Sequence, residues 1–175
     1  MKKILAVVAL VLASSGAWAE KADSLKQAVI NFDSIDADDV KQVRTLTGNV
    51  TVTRGTLVLK SDQAVLRESP EGDLSVTLTA APGKFATFRQ KRDGGPDLWM
   101  EGQAQRIEYE ERTEVVKLLG NAQVRQLEGS KVQDQLESEY ISYDSRKEVM
   151  AARNDASGVS KPGKGRGTLV LAPRK

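Results

Sequence analysis

The sequence predicts an all-β protein, a stack of units made from short antiparallel strands. Three observations lead there. One glycine-centred pattern recurs down the chain, apolar and polar residues alternate with a period of two, and helical periodicity is scarce.

The recurring pattern is clearest at Gly48-Asn49-Val50-Thr51-Val52 and Gly120-Asn121-Ala122-Gln123-Val124. A looser copy is Gly83-Lys84-Phe85-Ala86-Thr87, and a faint one is Ser157-Gly158-Val159-Ser160. The glycines lie 35, 37 and 38 residues apart. Even spacing at that scale implies units that bury a face on their neighbours, so the molecule offers an extended surface before it offers a pocket.

Residues 1–19 read as a secretory signal peptide. Lys2 and Lys3 precede the apolar run Ile4 to Ala13, and Ala17-Trp18-Ala19 supplies small residues for cleavage after Ala19. The run is short for a membrane span, which needs about 20 apolar residues. Glu20 follows, and the chain has no cysteine, so a lipoprotein anchor is excluded.

Residues 20–160 are expected to form one β domain. Val50 and Val52 alternate with Thr51 and Thr53, and Val76 and Leu78 with Ser75, Thr77 and Thr79. Ile107 and Tyr109 alternate with Arg106 and Glu108, and Ile141 and Tyr143 with Ser142 and Asp144. This is the signature of strands with one buried face. Turn chemistry separates them at Arg54-Gly55, Pro70 to Asp73, Pro82-Gly83, Asp93 to Pro96 and Glu128-Gly129. The charged stretches Glu110 to Glu114 and Ser145 to Glu148 read as turns of two near-copied hairpins. Strands of four to seven residues are expected. An ordinary sandwich fits the same alternation, but the even repeat and sparse aromatics favour the stack. Residues 161–175 form a basic, glycine-rich segment: flexible at Gly163, Gly165 and Gly167, then a last strand at Thr168 to Leu171.

Composition excludes much. With no cysteine there is no disulfide or thiolate chemistry, and with no histidine the commonest general base and metal ligand are gone. No cofactor, no metal site and no enzymatic activity are expected. The chain has 26 basic and 24 acidic residues; without Lys2 and Lys3 it has 24 of each, so nucleic-acid binding by bulk charge is not expected.

Taken in order, several motifs resemble the OstA-like family of periplasmic lipopolysaccharide-transport proteins. They are Leu46-Thr47-Gly48-Asn49-Val50 with Arg54-Gly55-Thr56-Leu57, Gly83 to Phe88, Glu101 to Tyr109, Leu118 to Ala122, and Ser138 to Asp144. The resemblance spans about residues 26–172. It implies a folded-over β-jelly roll, V-shaped like a taco, of about sixteen short antiparallel strands. It also implies a periplasmic carrier that binds lipopolysaccharide acyl chains between its two sheets. The implied partners are an LptC-like inner-membrane protein, the N-terminal domain of an LptD-like outer-membrane protein, and further copies of itself joined head to tail. The family pattern is broken by Ala122 where valine is usual, and by the missing Asn in the fourth unit.

An aliphatic trough suits such a ligand. Each acyl CH₂ gains about 0.8 kcal/mol by leaving water, and no directional bond traps the lipid. Expected lining residues are Ile30, Val50, Val52, Leu57, Leu59 and Leu66 in the first half of the chain. Phe88, Ile107, Tyr109, Leu118 and Ile141 follow, with Leu46, Phe32 and Tyr143 as seconds. Arg54, Lys84, Arg89 and Arg106 are candidate rim cations for lipid phosphate. Three other readings are open. One is a strand-adding adaptor without ligand. Another is a carbohydrate-processing enzyme using acids such as Asp33, Asp62 or Glu101, all beside turns. The last is an outer-membrane barrel, against which the short strands argue.

Overall fold

The structure, a computed structural model, describes residue 23 and residues 26–173 except 96, 145 and 148. The expected signal peptide lies outside the described residues. The strands are β1 (Val29–Asn31), β2 (Ser34–Asp38), β3 (Val43–Arg54), β4 (Leu57–Glu68), β5 (Leu74–Thr79) and β6 (Ala86–Lys91). They continue with β7 (Leu98–Ala104), β8 (Arg106–Glu110), β9 (Val115–Glu128), β10 (Lys131–Asp144), β11 (Val149–Arg153) and β12 (Thr168–Leu171). Among the described residues, all strands pair antiparallel within one sheet of 12.

Four strands are much longer than the sequence suggested. β3 and β4 have 12 residues each, and β9 and β10 have 14 each. In β3 and β9 the reason lies in their Gly-Asn pairs, and β4 and β10 follow the bend as ladder partners on both sides of it. Gly48 and Asn49 have φ of 80° and 46°, and Gly120 and Asn121 have 77° and 48°. Two successive left-handed residues swing a strand onto a new course without ending it, and glycine and asparagine bear that conformation best. What reads as a turn between strands is a fold within one.

The folded strands divide the sheet into two halves. The first half runs β2, β3 (43–47), β4 (63–68), β5, β8, β9 (115–119), β10 (140–144) and β11. The second runs β1, β3 (50–54), β4 (57–61), β6, β7, β9 (123–128), β10 (131–137) and β12. Counting the four folded strands once in each half gives sixteen segments, in line with the about sixteen that the family resemblance implies.

The spine between the halves explains the repeat. Gly48, Gly83, Gly120 and Gly158 all lie where the chain passes from the first half to the second, at φ of 80°, 79°, 77° and 80°. The returning passages carry polar side chains instead, and these serve backbone groups that have lost their ladder partners. Asp33 accepts from the Asn49 side chain at 2.9 Å, while its own N–H donates to Thr47 and Gly48 carbonyls. Asp62 accepts from the Ala81 N–H at 2.8 Å and from Lys84 Nζ at 3.0 Å. Gln105 N–H donates to the Gly120 carbonyl, and the Asn121 N–H points to the Glu139 carboxylate.

The core lies between the halves. Leu46, Leu78, Ile107, Leu118 and Ile141 from the first half and Val50 from the second are at most 2% exposed. Packed with them from the second half are Val52, Leu59, Phe88, Met100 and Val124. At the far end, β12 pairs with β10 and leaves Leu169, Val170 and Leu171 exposed. The glycine-rich stretch before it is tied back: Asn154 bonds both ways with the Lys161 backbone, and Lys161 and Lys164 pair with Asp155.

Candidate functional site

Away from the spine the two halves end in separate lips. One lip carries the turns after β2, β5's predecessor β4, and β8; the other carries the turns after β3, β6 and β9. Between the lips opens an apolar cleft. Leu57, Leu59, Phe88, Met100 and Val124 line it from the second half. Ile107, Tyr109, Val116, Leu118 and Tyr143 face them from the first. The strand period produces this arrangement, because inward positions alternate with Thr, Lys, Arg and Glu that face out.

Most expected lining residues reach this seam in one of two ways. Leu57, Leu59, Phe88, Ile107, Tyr109 and Leu118 line the cleft, and Tyr143 joins them. Val50, Val52, Leu66 and Ile141 are buried in the continuous core outside it, and Ile30 packs partly buried against that core. Leu46 is also core, whereas Phe32 stays exposed at the spine. Met100, Val116 and Val124 line the cleft without having been singled out in the sequence.

Polar groups gather at the mouth. Arg54 Nη1 donates to Glu111 Oε1 at 3.0 Å, linking the end of β3 on one lip to the turn after β8 on the other. Glu111 also accepts from the Leu74 N–H. Burial pushes the Tyr109 phenol above its ordinary range, with the nearby Arg54 charge opposing, so it presents a neutral hydroxyl to the cleft at neutral pH. Of the four candidate rim cations only Arg54 is at the mouth. Lys84 sits on the spine, bound to Asp62. Arg89 stands on the outer face, paired with Glu101 and lying over Trp99 at 4.3 Å. Arg106 pairs with Glu108. The acids considered for catalysis have structural work: Asp33 and Asp62 hold the spine, and Glu101 pairs Arg89 and Arg125.

The cleft encloses about 70 Å³, whereas pockets that enclose small ligands run to about 300–1,000 Å³. A ligand of that size therefore needs the lips to part.

Two folded-over half-sheets, polar outside and enclosing an apolar seam of aliphatic and aromatic side chains, define a β-jelly roll. The chain belongs to the family described as LptA/(LptD N-terminal domain) LPS transport protein, whose model matches residues 29–149. It is 32% identical to the lipopolysaccharide export system protein LptA of Haemophilus influenzae, over 98% of this chain and 91% of that one. It is 33% identical to the protein of the same name in Escherichia coli K12, over 94% and 80% of the two chains. In fold it matches LptH, the LptA-homologous periplasmic component of the lipopolysaccharide transport device of Pseudomonas aeruginosa. That match has a TM-score of 0.73 at 24% identity and covers 86% of this chain and 99% of that one.

Proposed function

We propose that this protein is a periplasmic carrier that holds the acyl chains of lipopolysaccharide in the cleft and bridges the inner and outer membranes during lipopolysaccharide export. The observation that carries this reading is the apolar seam itself, continuous from Leu57 and Phe88 on one half to Ile107 and Tyr109 on the other. Burial by area stabilises a lipid without fixing its position. The seam residues named from the sequence, Ile30 to Ile141, form the proposed lipid-binding face as a set. The exported unit is residues 20–175 after cleavage behind Ala19, with one domain to about residue 160 and a tied-back tail ending in β12.

The edge strands suit assembly. Among the described residues, β1 and β2 at one end, and β11 and β12 at the other, each lack a neighbour on one side. Pairing of unlike ends gives a head-to-tail row of copies, capped by an LptC-like protein at the inner membrane and an LptD-like domain at the outer one. The experiment is direct binding of lipopolysaccharide to the purified exported protein. Co-elution on gel filtration is the expected result. No association, with end-to-end assembly intact, would replace the carrier with an adaptor.

A further inference from the structure

The mouth of the cleft contains one group that an apolar site does not need. The Asp23 side chain lines the cleft beside Arg54, Tyr109 and Glu114 and is 3% exposed. Its Oδ2 accepts from the Thr56 hydroxyl. Its Oδ1 is buried and makes no hydrogen bond among the described residues, where Lys26 Nζ stands 3.7 Å away. The seat is shaped for it: at Gly55, φ is +62° and a Cβ would stand 1.9 Å from Asp23 Oδ1. Arg54 fastens the same corner. Its Nε donates to the Lys26 carbonyl at 3.0 Å, while Nη1 reaches Glu111 on the opposite lip. The Lys26 N–H in turn donates to the Asp23 carbonyl.

A buried carboxylate with one oxygen held by nothing closer than a long ion pair is a costly occupant of a low-dielectric site. It gains by returning to water, and an acyl chain gains by taking its place. We infer that Asp23 is a stopper for the cleft: its carboxylate, seated on Gly55 and Thr56, closes the mouth until a hydrocarbon chain displaces it, and Arg54 latches the stopper to both lips. The inference rests on the carrier reading.

Because the chain has no cysteine, one engineered pair gives an unambiguous lock. Asp23→Cys with Thr56→Cys places two thiols where the carboxylate and hydroxyl now meet. The probe is a polyene fatty acid that fluoresces only in apolar surroundings, added to full-length exported protein by stopped flow. Oxidation is expected to slow uptake at least tenfold, and reductant to restore it. Gly55→Ala, which unseats Asp23, is expected to speed uptake at least threefold. Equal rates in the oxidised and reduced forms, no acceleration in Gly55→Ala, or failure of the pair to join on oxidation without lipid would each overturn the stopper. If the unaltered protein itself takes up no probe, the carrier reading fails and the stopper with it. If it does and the lock has no effect, only the stopper fails.

Discussion

The Phe88 ring lies across the backbone of Gly102. The two residues are direct cross-strand partners on β6 and β7, and a Cβ on Gly102 would stand 2.1 Å from Phe88 Cε1. A glycine here lets the aromatic ring lie flat against the sheet, so that it forms part of the cleft wall without filling the cleft. Gly102→Ala should therefore swing the ring into the seam. Expected outcomes are a fatty-acid uptake reduced severalfold and a loss of about 1–3 kcal/mol in urea denaturation, the usual effect of overpacking. Unchanged uptake would separate Phe88 from the lipid path.

The spine glycines should be expensive to replace. Gly48→Ala puts a side chain at φ of 80° and within 2.8 Å of Asp33 Cβ, which is fixed to its backbone. Gly120→Ala meets the end of the Gln105 side chain, which can move aside. Both should lose about 1–3 kcal/mol of stability, with Gly48 the larger. Gly165→Ala, in open space, should stay within about 0.5 kcal/mol of the unaltered protein. Equal effects at all three sites would contradict the spine.

The repeat was plain in the sequence, yet its meaning was not. Gly48-Asn49 looks the same from sequence whether it ends a strand or folds one, and the difference appears only when β3 keeps pairing with β4 on both sides of the bend. The alternation located Phe88 and Ile107 because each has a polar residue on both sides, and Leu59 and Leu118 on the weaker signal of one adjoining lysine. It missed Met100 and Val116, where Leu98-Trp99-Met100 and Val115-Val116 are apolar throughout and hide the phase. Arg89 could have been excluded from the rim, since it alternates with inward Phe88 and so faces out. Which end of a strand meets the mouth depends on topology, so Arg54 could not be told from Lys84. Nothing in the sequence near Asp23 marks it as buried.

The Arg54–Glu111 clasp should contribute modestly to stability. The side chains are 22% and 36% exposed, so water screens the pair. A double-mutant cycle with Arg54→Ala and Glu111→Ala should give a coupling of about 0.2–1 kcal/mol. A zero coupling in solution would mean the lips are not held together by this pair.

Acid should weaken the spine. The Ala81 N–H, then Lys84, hold the Asp62 carboxyl below its usual 3.8. A folded-state value below the unfolded one adds stability above the unfolded value, and that stability is lost as pH falls through the folded one. The melting temperature should therefore begin to fall below about pH 4, and Asp62→Asn should flatten that fall. An unchanged slope in the variant would show that Asp62 does not contribute.

In the proposed head-to-tail row, contact between copies should depend on the β12 edge, where Leu169, Val170 and Leu171 are 59%, 55% and 58% exposed. Aspartate at both Leu169 and Val170 should shift sedimentation toward the monomer. An unaltered distribution would place the contact between copies elsewhere.

The central claim is that hydrocarbon lies between the half-sheets. Site-specific photocrosslinking during lipopolysaccharide export tests it most directly, with the reactive residue placed at Leu57, Phe88 or Tyr109 inside and at Thr51 or Thr53 outside. Lipid adducts at the three inward positions and none at the two threonines are predicted. Equal labelling of both faces, or adducts only from outside, would contradict the account.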